Sequence, residues 1–481
     1  MKREFAINIL ILLVLGLLIK AFYLLGIDRQ MQLKLGTESY GIYFQLLNFT
    51  LLFQFINDFG IQNYTNRYVS QNRKTIHLEY KDFAGVKIIL SIIYGLCILL
   101  FAFVLPLEAE RVPILMHLAF NQVLVSGIFF FRSSISGLGF YKTDSFISIL
   151  DRILLIALGS FLLWHTAFSN YIGIQSFIWI QTISLSLTLV TAVLFVAKKQ
   201  LNISIKWLKY SEVKKILLAC LPFAGIYLFS SLYNKIDVFL IGRIMEKGEH
   251  ESGIYAASMR LFEASSMISL AFGSLLLAMF SVLYNDQNKL SDLFKMSMNL
   301  LVSLTLSIVL VSCFYSSEIM NLLYHQSDLY WSTTFSLCML AFIPASLNYI
   351  YGALFQAIHK ENKLLFYYFI AFLISIGANL FMISHWGVLG AAFITIVTHS
   401  CLFLAQVWYI ERNTNIRLES KFWLKIISFI ILSTLLVYGI KLFELNWSVK
   451  AILSGFIVLF LAFVFRFINV REFIAQKNQS K

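Results

Sequence analysis

Several basic side chains lie within long apolar runs of this sequence, among them Lys20, Arg132, Arg152, Lys235 and Arg260. A charge in such a run costs at least about 2.5–3.5 kcal/mol if the run crosses a membrane, so it usually has a function or a partner. Lys offers an anion a point charge, and Arg can bind a phosphate or carboxylate through two parallel hydrogen bonds. Basic residues outnumber acidic ones in these runs, which favours an anionic ligand.

Acidic residues in the same runs are candidates for ion pairing or for coupling to an ion gradient, and they are Asp58, Asp237 and Glu263. Arg260 and Glu263 are three residues apart and can pair on one face of a helix. Two interpretations of Arg260 therefore stand: a self-contained pair with Glu263, or a cavity residue acting together with Lys20. Lys235 and Asp237 are two residues apart, so their side chains point in different directions.

The remaining charges in apolar runs have alternative explanations as well. Arg152 follows Asp151 and is either half of a structural ion pair or a cation at the inner part of a cavity. Lys87 and Arg132 lie near the cytoplasmic ends of their runs, where snorkelling of the long side chain is the favoured interpretation.

The sequence carries no arrangement of residues for enzymatic chemistry. It has no P-loop, no paired histidine ligands and no nucleophile beside a base. The five cysteines lie far apart in apolar runs, which is typical of small buried hydrophobic residues rather than of disulfides or metal ligands. We therefore expect no catalytic residue, no metal site and no cofactor.

The runs that carry the charges are predicted to be transmembrane helices. Hydrophobic residues make up 59% of the 481 positions and charged residues 13%, whereas soluble proteins have about 25% charged residues. Only four prolines occur, and the runs do not alternate apolar with polar residues as β-barrel strands do. The sequence predicts an all-α polytopic membrane protein with no soluble domain large enough to house chemistry.

About 14 spans of roughly 20 mostly apolar residues can be placed along the chain. Lys and Arg concentrate in alternate loops, and the positive-inside rule then places both termini in the cytoplasm. That rule and attraction to anionic membrane lipids explain the net charge of +13, so no nucleic-acid partner is expected. The predicted spans cover residues 5–25, 39–62, 83–106, 112–138, 146–165, 172–196, 213–240, 253–283, 295–316, 333–357, 364–384, 387–410, 423–443 and 447–468.

An internal repeat relates the two halves of the chain at an offset of about 213 residues. It predicts two parallel six-helix bundles that rock against each other around a central cavity, with two further helices at the C-terminus. The predicted parts are an N-terminal lobe 1–197, a cytoplasmic linker 198–212, a C-terminal lobe 213–410, and a final pair of helices with a cytoplasmic tail, 411–481. The matching segments are Glu38–Tyr43 with Glu251–Tyr255, Gly26–Met31 with Leu240–Met245, and Ile172–Ile174 with Trp386–Gly390.

The order and spacing of several short motifs resemble those of the multidrug/oligosaccharidyl-lipid/polysaccharide (MOP) exporter superfamily, and within it the polysaccharide flippases of the Wzx type. The resemblance runs across roughly residues 1–410. The motifs are Tyr40-Gly41-Ile42-Tyr43, Asn57-Asp58-Phe59-Gly60 with Arg67, Leu221-Pro222, Asp237, Gly253-Ile254-Tyr255, Gln356-Ala357 with Lys360 and Lys363, Asn379, and Trp386–Ala392.

The resemblance implies a fold like that of the multidrug and toxin extrusion (MATE) transporters and a multi-pass protein of the bacterial cytoplasmic (inner) membrane. It also implies movement of an undecaprenyl-pyrophosphate-linked oligosaccharide to the periplasmic leaflet for surface polysaccharide or O-antigen synthesis, with a polymerase or ligase complex as partner. A glycan and a diphosphate must then cross about 30 Å of hydrocarbon, which requires a polar cavity. Lys20 and Arg260 are the first candidates to contact the diphosphate, followed by Arg152, Lys235 and Arg132.

Four alternatives remain open at this point. A flippase for lipid II needs the same cationic cavity, and a cation-coupled drug exporter of the same superfamily would favour an acidic or neutral one. A membrane-embedded polymerase or glycosyltransferase would need a sizeable loop with acidic, basic or histidine residues, and no loop exceeds about twenty residues by this assignment of spans. A passive scaffold predicts that the cavity charges are dispensable.

Overall fold

The computed structural model describes residue 16 and residues 18–71, 76–104, 108–165, 172–198, 210–283, 286–326, 328–414 and 416–467. Residues 18–22 are helical and continue into a π-helix, Tyr23–Asp28. The α-helices that follow are α1 (Arg29–Leu35), α2 (Thr37–Leu52), α3 (Gln54–Asp58), α4 (Ile61–Gln71), α5 (Ile76–Val104), α6 (Arg111–Gly137), α7 (Tyr141–Trp164), α8 (Ile174–Lys198), α9 (Tyr210–Ile244), α10 (Gly248–Leu283), α11 (Gln287–Phe314), α12 (Ser316–Tyr324), α13 (Leu329–Ala357), α14 (Glu361–Asn413), α15 (Ser420–Lys441) and α16 (Trp447–Val464).

These helices confirm the prediction of an all-α polytopic membrane protein. In the described part of the chain, ten helices are long and apolar enough to cross a membrane, or eleven if the bent pair Ser211–Leu221 and Ala224–Ile244 forms one span. α14 contains two predicted spans, because two helices join across Gly387, whose φ is 56° and ψ is −137°. The first predicted span lies largely outside the described residues, so the number fourteen stays a prediction.

The second predicted span is broken near its C-terminal end. α3 ends at Asp58, Phe59 and Gly60 have φ values of 45° and 75°, and α4 begins at Ile61. The Asp58 carboxylate accepts a hydrogen bond of 3.2 Å from the backbone N–H of Gly60. Asp58 therefore supports the turn between two helices, while a part in ion coupling stays a prediction.

The chain divides into two compact units, an N-terminal unit Met1–Ala256 and a C-terminal unit Ala257–Lys481. The boundary falls inside α10, because α9 packs against α2 and α4 of the N-terminal unit. The lobes and linker that the repeat predicts, divided at 198–212, remain a prediction. Each unit has an apolar core: Tyr80, Phe130 and Ile135 belong to the N-terminal one, and Phe294 and Tyr351 to the C-terminal one.

In the N-terminal unit, α2 and α10 cross at the glycines of the repeated Gly-Ile-Tyr motif. A Cβ atom on Gly41 would overlap the backbone carbonyl of Glu249, and one on Gly253 would overlap the carbonyl of Thr37. The Gln32 amide donates a hydrogen bond of 2.9 Å to the carbonyl oxygen of Gly253. The repeat therefore marks the point where two helices approach backbone to backbone, which only residues without a side chain permit.

Candidate functional site

Three of the five predicted cations come together in the N-terminal unit. Lys20 lies on the helical segment before the π-helix, Arg132 on α6 and Arg152 on α7. The charges of Arg152 and Arg132 both act on Lys20, and so does the charge of Asp151. Side chains from three helical segments are therefore close enough for their charges to interact, and they form one charged cluster.

Both arginines of this cluster have acidic partners. Arg132 Nε lies 2.7 Å from Asp144 Oδ1, and Arg152 Nε lies 3.3 Å from Asp151 Oδ2. The Arg152 guanidinium also stacks over the ring of Tyr23, with 4.7 Å from Cζ to the ring centroid. The ion pair that the sequence offered as one interpretation of Arg152 is present, and Arg132 has a partner in addition to its place near a helix end.

Asp28 also belongs to this cluster. It was not predicted as a site residue, and it appears in the sequence analysis only within the repeated segment Gly26–Met31. Its side chain is fully buried. Tyr40 donates a hydrogen bond of 2.6 Å to Asp28 Oδ2, Tyr23 donates one of 3.4 Å to Oδ1, and the carboxylate charge acts on Arg152. The sequence signal that could have identified Asp28 is an acidic residue just after the first predicted span, followed by the tyrosines of the repeated motif.

Lys20 differs from the two arginines in its local contacts. Its side chain is half-buried and, within the part of the chain that the structure describes, makes no hydrogen bond or ion pair. Two basic neighbours, Arg132 and Arg152, outnumber the one acid, Asp151, whose charge acts on it. An anion at this position would gain attraction without having to displace an existing partner of Lys20.

In the C-terminal unit, Arg260 forms the local pair that its spacing predicted. Arg260 Nη1 lies 2.9 Å from Glu263 Oε2, and the Arg260 residue is only 7% exposed. The pair satisfies part of the donor capacity of the guanidinium, which has five N–H groups. A role for Arg260 in binding substrate, jointly with Lys20, stays a prediction.

Lys235 and Asp237 lie in the N-terminal unit on α9, and their surroundings differ. Asp237 is buried, and its carboxylate accepts hydrogen bonds from the hydroxyl of Tyr255 and from the backbone N–H of Val238, the latter at 2.8 Å. Lys235 is half-buried, and its charge acts on Asp237. The side chain of Asp237 is thus held in place by the tyrosine of the second Gly-Ile-Tyr motif.

The snorkelling interpretation of Lys87 is wrong. Lys87 is only 5% exposed, and its ammonium group donates hydrogen bonds to the carbonyl oxygen of Asn57 at 2.6 Å and to Asn57 Oδ1 at 2.8 Å. It also donates one to the hydroxyl of Ser126. The side chain therefore turns inward and ties α5 to α6 and to the break in the second span, instead of reaching for water.

The amino-acid sequence matches a known protein family. Residues 5–284 match the profile of the family described as "Polysaccharide biosynthesis protein", more than half of the chain. The chain belongs to this family. No curated protein sequence matches this chain at a significant level.

Solved structures superpose on this chain and confirm the predicted MATE-like fold. An inward-closed structure of the lipid II flippase MurJ superposes with a TM-score of 0.69 at 16% identity, covering 97% of this chain and all of the other. An inward-facing structure of a multidrug resistance MATE transporter superposes with a TM-score of 0.65 at 14% identity, and the match covers 83% of this chain and 98% of the transporter. A MOP superfamily transporter from Pyrococcus furiosus superposes with a TM-score of 0.55 at 14% identity, and the match covers 84% of this chain and 93% of that transporter.

Proposed function

We propose that this protein is a flippase that moves an undecaprenyl-pyrophosphate-linked oligosaccharide from the cytoplasmic to the periplasmic leaflet by alternating access. The match to the polysaccharide biosynthesis family carries the proposal. The physical requirement is a polar path for a glycan and a diphosphate, because unsatisfied polar groups in hydrocarbon cost several kcal/mol each. Under this proposal the protein is a transporter, not an enzyme, of a bacterial inner membrane, with both termini cytoplasmic and a polymerase or ligase complex beside it.

Lys20 is the residue on which we base the binding step. Its neighbours Arg132 and Arg152 are engaged with carboxylates, whereas Lys20 has no direct partner among the described residues. The diphosphate of the substrate is a strong anion that would supply one. Arg260, which pairs with Glu263, is proposed as a second basic contact for the phosphate.

The proposal is tested in a strain that lacks the gene. The deletion is expected to accumulate the completed lipid-linked oligosaccharide on the cytoplasmic side, where added periplasmic enzymes cannot reach it, and the wild-type gene should restore surface polysaccharide. Complete absence of the lipid-linked oligosaccharide would instead indicate an enzyme that makes it. An unchanged amount, in its normal leaflet, would indicate a scaffold or a different substrate.

Complementation with variants at matched protein levels tests the residues. Lys20→Ala is expected to reduce export at least about tenfold, because a charge-assisted contact is lost, and Lys20→Arg should retain part of the activity. Lys142→Ala, which removes an exposed lysine on α7, is the control and should export normally. Normal export by a Lys20→Ala, Arg260→Ala double variant would remove both residues from the site.

A second candidate substrate is lipid II, which is also a lipid-linked anionic glycan. The likeness to MurJ extends over 97% of this chain, whereas two multidrug resistance MATE transporters match 83% and 84% of it. Expression of this protein in cells depleted of their lipid II flippase separates the two substrates. Restored growth would favour lipid II, and continued arrest together with restored surface polysaccharide would favour the oligosaccharide.

A further inference from the structure

The C-terminal unit carries a strongly basic depression on the side that the positive-inside rule assigns to the cytoplasm. We call it the basic basin, and its volume is about 450 Å³. No carboxylate lines it in the part of the chain that the structure describes. The lining side chains that matter here are Lys360, Arg412 and Arg417, together with Gln287, Asn413 and Thr414.

Lys360 is placed by the turn that ends α13. His359 has a left-handed φ of 56°, the backbone N–H of Lys360 donates to the carbonyl of Phe355 at 2.9 Å, and the N–H of His359 donates to that of Gln356 at 3.2 Å. This pair of hydrogen bonds is the Schellman arrangement, which closes the C-terminus of a helix. The position of Lys360 is therefore set by the backbone between α13 and α14.

Arg417 lies in the segment between α14 and α15. Ile416 and Leu418 on either side of it are 1% and 7% exposed and belong to the apolar core of the unit. Arg417, between these two buried neighbours, is exposed. The Thr414 hydroxyl donates a hydrogen bond of 2.7 Å to the carbonyl oxygen of Ile410 and accepts one of 3.2 Å from the backbone N–H of Ile416. These two bonds hold the segment in place.

Among the described residues, the three cations of the basic basin have no acidic partner. Lys360, Arg412 and Arg417 form no ion pair with any residue in the described ranges. The nearby carboxylates have other contacts: Glu411 accepts a hydrogen bond of 3.4 Å from the backbone N–H of Leu418, and Glu419 lies 4.0 Å from Lys295. Like charges that converge on one depression repel one another, and an anion in that depression removes the repulsion.

Trp408 connects the basic basin with the surface of the membrane. Its side chain is 58% exposed, and the Arg412 guanidinium lies over its ring at 5.3 Å from Cζ to the centroid. Trp is enriched where hydrocarbon meets the headgroup layer. The arrangement therefore puts Arg412 at headgroup level, one helical turn from an interfacial tryptophan.

We propose that the basic basin binds the phosphate of an anionic lipid headgroup in the cytoplasmic leaflet. Arg412 and Arg417 offer paired N–H donors to the phosphate oxygens, and Lys360 adds a point charge. The neutral Gln287, Asn413 and Thr414 can donate to the remaining oxygens of the headgroup. This site is separate in sequence and in structural unit from the Lys20 cluster, so it does not depend on the proposed flippase activity.

The test compares two triple variants of the full-length protein with equal net charge. The basin variant carries Lys360→Gln, Arg412→Gln and Arg417→Gln. The control variant carries Lys142→Gln, Lys363→Gln and Lys421→Gln, which remove exposed lysines that do not line the basin. Native mass spectrometry of the detergent-solubilised proteins measures binding of phosphatidylglycerol, of phosphatidylcholine and of inorganic pyrophosphate. Thermal unfolding of both variants verifies that they fold.

Wild type and control are expected to bind phosphatidylglycerol equally and in preference to phosphatidylcholine, and the basin variant about tenfold or more weakly. Equal binding of phosphatidylglycerol by the basin and control variants would overturn the proposal. Loss of pyrophosphate binding alone, with lipid binding intact, would also overturn it by identifying a site for free phosphates. A basin variant that does not fold is replaced by Arg417→Gln alone, with Lys421→Gln as its control, and the same outcomes apply.

Discussion

Gly41 and Gly253 face each other where α2 crosses α10, and an added Cβ on Gly41 would lie 3.0 Å from the backbone nitrogen of Gly253. The two residues occupy corresponding places in the two copies of the repeat, Tyr40–Tyr43 and Ser252–Tyr255. The internal repeat thus has a direct physical expression: both copies supply a glycine to the same close approach. Both copies of the repeated motif have a glycine at the point where they contact each other.

We expect Gly41→Ala to destabilise the protein by about 1–3 kcal/mol, because the new methyl group overlaps a backbone carbonyl, that of Glu249, which has little freedom to move. The measurement is the Tm in detergent, followed by intrinsic fluorescence or by the loss of monodisperse protein. Gly95→Ala on α5 is the control, since a Cβ there meets nothing within 4 Å. That change should be neutral or stabilising by about 0.5–1 kcal/mol. Equal Tm values for the two variants would contradict the close approach.

Lys87→Met is expected to destabilise the protein by about 1–3 kcal/mol, although Met fills a similar volume. The carbonyl of Asn57 and the hydroxyl of Ser126 lose their donor while they remain buried, and unsatisfied buried groups carry that cost. Lys142→Met, at an exposed lysine, should change stability by less than about 0.5 kcal/mol. A Tm for Lys87→Met as high as that of Lys142→Met would restore the snorkelling interpretation.

Asp286 at the start of α11 predicts a pH dependence outside the membrane. The Lys289 side chain and then its backbone N–H hydrogen-bond to the carboxylate and hold the pKa of Asp286 below its ordinary value. A lowered folded-state pKa contributes stability that is present above the unfolded pKa, about 3.9, and is lost as the pH falls through the folded pKa.

The variant Asp286→Asn isolates this contribution, because Asn also caps a helix but does not titrate. Wild type should have the higher Tm at pH 7, and the difference from Asp286→Asn should shrink as the pH is lowered to about 3. A difference that is the same at both pH values would show that the charge of Asp286 does not stabilise the helix.

Some features of the candidate site were predictable from short-range spacing. The Arg260–Glu263 pair and the Arg152–Asp151 pair join residues three positions and one position apart, and the structure contains both. Asp28 was not recognised as part of the site, because its partner Tyr40 comes from the next span. Its burial depends on how those segments fold together, which residue spacing alone does not specify.

The sequence by itself determined that this protein is an all-α membrane protein with an internal repeat, because apolar runs and their lengths are properties of local sequence. Tertiary structure decided which charges have partners. Lys87 turned inward because Asn57 and Ser126, from other helices, present oxygens to it. Lys360 and Arg417 line one basin because the end of α13 and the segment after α14 meet there. Such groupings join residues far apart in the chain, and only packing brings them together.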